Sequence, residues 1–494
     1  MSDMTTRTAE PPAAVRLPGL AGPPADTPAA RSKSRRFGRW IDDWRPEDPA
    51  FWAAGGAKVA RRNLVVSVFT EHIGFSIWSL WSVLVLFLTP KYGISSVATT
   101  AAAQKFTLIT LPTALGAFVR LPYTFAVATF GGRNWTVISA LMLLIPVGAT
   151  AIVLHPGVSY STLLVVSALA GVGGGNFASS MANINSFFPQ RLKGAALGLN
   201  AGGGNLGVAA VQLVGLLVLA TAGKDHPRVL LAIYAPLIVI GVLLSLSLMD
   251  NLGVASNEKH AMRDVCRDPH TWVMSALYIG TFGSFIGFGF AFGQVLSTQF
   301  PSHFWGSAMV HGKHVVDPVR VAYLTFLGPL IGSLIRPVGG MMADRWGGAK
   351  TTFWNFVAMA VSAGVVLIAS VQKSLPLFMV GFLALFVFSG IGNGSTYKMI
   401  PAIFRSKAQL QVAAGVAPEK ADHDARRFSN ALIGIAGAVG AFGGVLVNIA
   451  FRQSFLSTKT GNAAYIGFLV WYAVCFALTW TVYLRRSRSR LEGV

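Results

Sequence analysis

The chain alternates long apolar stretches with short polar ones. Twelve apolar stretches approach or exceed 20 residues, the length that crosses roughly 30 Å of hydrocarbon at 1.5 Å per residue. They lie near 64–89, 104–130, 135–154, 161–187, 195–221, 229–249, 272–297, 320–343, 352–371, 376–401, 428–451 and 465–484. The pattern predicts an all-α membrane protein of twelve transmembrane helices. The polar stretch "DNLGVASNEKHAMRDVCRDPH" splits the spans six and six. The expected organisation is a tail over 1–62, a first six-helix half over 63–250, a cytoplasmic linker over 251–270, a second half over 271–487 and a short tail over 488–494.

The two halves echo one another. Arg120 lies eleven residues before the pair Gly131 and Gly132, and Arg336 lies eleven before Gly347 and Gly348. The fourth span of each half carries Gly-(Val/Ile)-Gly-x-Gly, "GVGGGNF" from Gly171 and "GIGNGST" from Gly390. The fifth spans are dense in glycine, "GLNAGGGNLG" with Gly202, Gly204 and Gly207, and "GIAGAVGAFGG" with Gly437, Gly440 and Gly443. Duplicated spans indicate a secondary transporter with its site between the halves, near the bilayer midplane.

Composition agrees: 53% of residues are hydrophobic and 12% charged, about half the charged share of an ordinary soluble domain. The net charge of +21 invites a nucleic-acid reading, but its distribution opposes one. Most of the 40 Lys and Arg fall on the tail and on the loops of one side, the bias that marks the cytoplasmic face. Both termini are therefore expected inside, in the plasma membrane. The Pro/Ala-rich start has no apolar core of a cleaved signal. It reads as a disordered tail leading into an amphipathic piece, "RRFGRWIDDWRPEDPAFW", at the inner surface. The two cysteines, Cys266 and Cys475, fall in a loop and in the last span, where they cannot pair. No metal-ligand spacing, cofactor motif or nucleophile–base set appears, so an enzyme is not expected.

Eleven helical residues measure ~16 Å, about half the hydrocarbon thickness, so both arginines are expected at the midplane. A charge there costs at least ~2.5–3.5 kcal/mol, which makes it a functional candidate by default. A buried arginine ordinarily pairs with a carboxylate, yet the spans hold few acids, chiefly Glu71 and Asp344. Two equivalent arginines without matched acids imply that the counter-ion is the substrate, a small anion. Guanidinium suits a planar oxyanion because its fork offers parallel N–H donors and keeps its charge.

Other candidates have plainer readings beside the functional one. The glycine runs suit close helix packing as well as a lined passage. Asn176, Asn183, Asn200 and Asn205 add neutral amides, and Tyr123 and Phe177 lie near the motifs. Tyr278 and Phe282, four apart, share a helical face and can hold a flat anion or simply pack. Glu71 and His72 in "FTEHIGFSIW" are the candidates for carrying a proton, or a polar pair satisfied by the basic inner rim or by Arg120 itself. Asp344 suits a gate at the inner end of its span, beside Arg345. Lys398 either snorkels or guides anions in the inner vestibule.

The motif "GGMMADRWGG" resembles the loop motif of the major facilitator superfamily, degenerate in the first half as "AVATFGGRNW". From "DWRPEDPAFW" to the twelfth span the chain resembles the nitrate/nitrite porters of that superfamily, close to the NarK-like members. "GAFVRLPYTF" and "GSLIRPVGG" match that family's substrate arginines, and the glycine-rich fifth and eleventh spans match its two signatures. The resemblance implies the major facilitator fold and that Arg120 and Arg336 clamp nitrate or nitrite. It implies also that Tyr278, Phe282 and Phe177 wall the pocket, and that Asn205 lies beside it. A monomeric nitrate/nitrite exchanger by alternating access, with the lipid bilayer as its surroundings, is the expected function. The alternatives are a nitrate/proton symporter using Glu71 or His72 and, more remotely, a non-transporting membrane anion sensor.

Overall fold

The computed structural model describes residues 39–253, 259–303, 308–310, 313–315, 317–485 and 491. Residues 1–38 of the tail expected over 1–62, and all but residue 491 of 486–494, lie outside them. Among the described residues are twelve helices long and apolar enough to cross a membrane. We label them α1 (Pro49–Phe87), α2 (Ala98–Phe130), α3 (Gly132–Val153), α4 (Tyr160–Phe187), α5 (Gln190–Thr221), α6 (Arg228–Leu248), α7 (Pro269–Gln299), α8 (Pro318–Trp346), α9 (Gly348–Val371), α10 (Leu375–Ala413), α11 (Pro418–Thr458) and α12 (Asn462–Leu484).

Burial sorts the helices. α1 and α7 are the most enclosed, whereas α3, α6, α9 and α12 leave much of their surface bare. The bare residues are apolar, Ile152, Leu243, Val361 and Val470 among them, as lipid contact requires. The halves meet where α2 packs on α11 and α5 on α8. The face carrying residues 39–48, 251–253 and 260–268 is called the linker face below.

The tail expectation needs correcting at its end. Residues 39–62 are folded, and among these described residues no separate surface helix forms. Trp40–Ile41 (β1) pairs in parallel with Asn251–Leu252 (β2), Trp44 is buried against Phe51 and Phe187, and α1 already begins at Pro49. Asp48 caps that start by accepting from the amides of Ala50 and Phe51. The physical reason is a buried carboxylate the sequence does not advertise. Asp250 accepts from Arg39 (3.0 Å), Arg62 (2.5 Å) and Asn63 (2.9 Å), which ties the segment to the end of α6.

The repeat extends to backbone conformation. α2 ends at Gly131 with φ 87° and ψ 146°, and α8 ends at Gly347 with φ 91° and ψ 140°. Both glycines then start the next helix directly. A positive φ of this kind is costly for any residue with a Cβ, which explains the glycine eleven residues after each arginine.

Candidate functional site

Arg120 and Arg336 are brought to the centre of the bundle, 1% and 6% exposed. Each is followed by an in-helix proline, Pro122 in α2 and Pro337 in α8. Among the described residues no carboxylate lies within the 4.0 Å of an ion pair to either one. Arg120 is held by carbonyls instead. Its Nε donates to Gly174 O and its Nη1 to Gly437 O, both at 3.1 Å. Gly174 belongs to α4 and Gly437 to α11, so this side chain bridges the two halves. Arg336 donates from Nη2 to the Tyr278 hydroxyl at 3.1 Å. One terminal nitrogen of each remains buried without a partner, Nη2 of Arg120 and Nη1 of Arg336.

The aromatic residues form a wall between them. The Phe282 ring lies 5.0 Å from Cζ of Arg120 and 6.0 Å from Cζ of Arg336. Phe177 stacks on Phe282 at 6.0 Å and lies 4.6 Å from the Arg120 guanidinium, while Tyr278 stacks on Phe282 at 5.2 Å. Phe282 sits in a π-helical turn, Ile279–Gly283, inside α7. Such turns favour functional sites. Here Gly283 lets α7 approach Gly443 of α11 closely, and a Cβ at either glycine would meet the other's Cα.

Two neighbours of the arginines escape a reading by sequence motif, and a third, Gly174, lies in the motif "GVGGGNF" without its contact being legible there. Trp78 of α1 faces the Arg120 guanidinium at 5.1 Å and is fixed by its indole N–H to Pro112 O at 2.8 Å. Tyr397 of α10 lies 6.2 Å from Tyr278, its buried hydroxyl without a partner. Gly174 supplies a carbonyl rather than an amide. The adjacency of Tyr397 to Lys398 in "STYKMIP" was the available signal for one of these; Trp78 had none, since tryptophan is common in spans.

A cavity of about 470 Å³ leads to this centre from the linker face. Glu47, Lys193, Arg426 and Arg427 stand toward its mouth, and Arg120, Phe177, Tyr397 and Gly437 line its deep end. On the other side of the arginines the halves are sealed. Phe106 stacks on Phe451 and Phe455, Arg452 Nε donates to Thr107 Oγ1 at 3.0 Å, Gln212 donates to Gly289 O at 2.7 Å, and Trp78 meets Phe290 edge-on at 5.2 Å.

The remaining candidates are placed variously. Asn205 is fully buried in α5 with both amide atoms unpaired, and no hydrogen bond joins it to either arginine. Glu71 does not meet Arg120: its Oε2 accepts from Asn200 at 2.6 Å, within a cluster with Ser180 and Ser67. His72 turns to Gly203 O at 3.1 Å. Asp344 pairs with Lys398 through both oxygens at 2.9 and 2.8 Å, not with Arg345. Tyr123 packs on Trp135, away from the centre. Most signature glycines are packing positions: a Cβ on Gly204 would meet Glu71, on Gly207 the His72 carbonyl, on Gly440 the Tyr278 ring. Gly202 faces open space, and Gly437 borders Phe177 and Arg120.

A duplicated bundle with charge buried between its halves defines a class of protein, the membrane carriers built on two repeats. The Major Facilitator Superfamily profile matches residues 64–417. The chain is 36% identical over 476 residues to the nitrate/nitrite transporter NarU of Salmonella typhimurium, covering 92% of this chain and 98% of that one. It is 35% identical over 478 residues to a probable nitrate/nitrite antiporter, NarK2 of Thermus thermophilus, covering 92% and 98%. The fold matches a partially occluded inward-open structure of the xylose transporter XylE from E. coli, with a TM-score of 0.63 at 11% identity over 88% of this chain and 99% of that one. The chain belongs to the major facilitator superfamily and, within it, to the NarK-like nitrate/nitrite porters, multi-pass proteins of the plasma membrane.

Proposed function

We propose that the protein exchanges nitrate for nitrite across the membrane by alternating access, taking up the first and extruding the second. The observation that carries this reading is the pair of buried arginines with no carboxylate partner and one unpaired terminal nitrogen each. A small oxyanion supplies what they lack. It receives one oxygen contact from Arg120 Nη2 and one from Arg336 Nη1, and rests its flat face on Phe282. The proposed clamp is a two-armed grip from opposite halves: Arg120 already gives Nε and one N–H of Nη1 to carbonyls, and each arginine keeps one unpaired terminal nitrogen for the anion.

Charge balance supports obligatory exchange. Closing the halves over two uncompensated guanidiniums strengthens their repulsion as water leaves, and a bound monoanion lowers that barrier. The excess of Lys and Arg on one side of the chain supports a cytoplasmic linker face and cytoplasmic termini, and with that orientation the cavity corresponds to an inward-open state. The protein works as a monomer. Lys398 and Asp344 join α8 and α10 at the linker face, with Lys398 Nζ beside Gly194 of the other half, a position suited to guiding the closing ends.

Proton-coupled nitrate symport through Glu71 or His72 is the other reading, supported by the burial of the Glu71 carboxyl. Exchange is favoured because Glu71 is tied to Asn200 and neither residue lines the described cavity. Counterflow separates the two. Proteoliposomes loaded with nitrite should take up external nitrate with or without a protonophore; uptake that needs no internal anion and collapses without a proton gradient overturns the exchanger.

A further inference from the structure

A second cavity, of about 630 Å³, opens on the outer surface of the second half where α8, α9 and α10 meet. It lies at the turn of Gly347, the linker-face end of α8 and α9, and has no connection to the arginine pair. Arg345, Trp346, Lys350 and Trp354 surround its rim, and Ala358 and Ile391 line its depth. Ala358 stands ten residues along α9 from Gly348, so the groove runs ~15 Å toward the membrane interior.

Its chemistry is graded along that depth. At the rim stand two cations. The acid nearest Arg345 in sequence, Asp344, is engaged by Lys398 through both oxygens. Among the described residues no carboxylate lies within 4.0 Å of Arg345 or Lys350. Trp346 and Trp354 are 54% and 67% exposed, at the level where indoles mark the headgroup region of a bilayer. Below them the walls turn apolar, with Phe388 and Ile391. One polar group interrupts this lower part. Asn355 is 4% exposed, and its Oδ1 has no partner; with the amide turned over, the same site presents N–H to an ester carbonyl.

Two unneutralised cations, an aromatic belt, a buried amide and an apolar slot follow the order of a phospholipid from phosphate through ester to acyl chain. We propose that this groove is a specific site for one anionic phospholipid, whose phosphate is held by Arg345 and Lys350 and whose acyl chain lies against Ala358, Phe388 and Ile391. The lipid bridges α8, α9 and α10 and supplies the counter-charge that Asp344 does not. A zwitterionic headgroup brings its own cation to the same rim and is disfavoured. The site is independent of the anion that the carrier transports.

The test uses the full-length protein in a neutral detergent, with phosphatidylglycerol, phosphatidylcholine or inorganic phosphate added. Native mass spectrometry reads retained lipid, and thermal unfolding reads stabilisation. Phosphatidylglycerol should be retained in preference to phosphatidylcholine and should raise the unfolding midpoint, while phosphate alone should not. The double variant R345Q/K350Q changes two exposed side chains and should fold, yet lose both effects. Ala358→Trp fills the slot without touching the charges and should lose the same lipid. Equal retention of the two lipids, wild-type retention by either variant, or full stabilisation by inorganic phosphate each overturns the proposal.

Discussion

At the scale of the residue, the two arginines are alike in sequence and unlike in their ties. Arg336 is positioned by one hydroxyl, so removing it tests positioning alone. Tyr278→Phe keeps the ring stacked on Phe282 and deletes the bond at 3.1 Å. A hydrogen bond to a charged group contributes about 1.5–3 kcal/mol, so the apparent KM for nitrate should rise about 10- to 100-fold in proteoliposome uptake. Unchanged KM would remove Tyr278 from the proposed clamp. Arg336→Lys keeps a charge but offers one nitrogen where the proposed clamp uses two, and should lose uptake more severely than Tyr278→Phe. Arg120→Lys should be worse again, since it also releases the carbonyls of Gly174 and Gly437. Glu71→Gln is the contrasting case. The amide oxygen still accepts from Asn200, so exchange should survive; a variant that binds nitrate but no longer accumulates it under a proton gradient would point to symport.

At the scale of the element, glycine has three separate meanings that one motif conflates. Gly131 and Gly347 are required by backbone conformation, Gly207 and Gly440 by contact, and Gly202 by neither. Gly440→Ala sets a methyl group into the Tyr278 ring and should lower both thermal stability and nitrate affinity, whereas Gly202→Ala should match the wild type in both. Equal effects of the two would mean that the runs act by flexibility rather than by packing. The same distinction shows how far the sequence could be read. Span positions, the six-and-six division and the paired arginines were legible, because hydrocarbon thickness and the near absence of intramembrane acids leave few arrangements. Contacts set by distance across helices were not: the Trp78 face against Arg120, the carbonyl partners from α4 and α11, and the tie of Asp250 to Arg39 and Arg62 join residues far apart in the chain. The 39–62 segment was misread for that reason, its charged and aromatic residues looking amphipathic while the partners of Arg39 and Arg62 sit at the end of α6 and those of Trp44 and Trp52 at the end of α4.

At the scale of the whole molecule, α2 passes from a sealed seam through the site to an open cavity. Thr113, Arg120 and Thr124 occupy one stripe of this helix, since eleven residues make about three turns. Thr113 is fully buried and faces Gly444 of the other half, while Thr124 lines the cavity. If the halves rock about the arginines, these two positions must exchange environments. The test places one cysteine at a time in a background lacking Cys266 and Cys475. Thr124→Cys should react rapidly with a charged thiol reagent applied from the linker face, and Thr113→Cys should resist reagent from both faces in the resting protein. With nitrite on one side and nitrate on the other, turnover should slow labelling at Thr124→Cys and open Thr113→Cys to reagent from the opposite face. Weakening the seam should have the same direction of effect without substrate: Arg452→Ala removes the bond to Thr107 and should raise labelling at Thr113→Cys. Labelling at Thr113→Cys that stays absent throughout turnover, while transport continues, would mean that the anion passes through without the halves separating there.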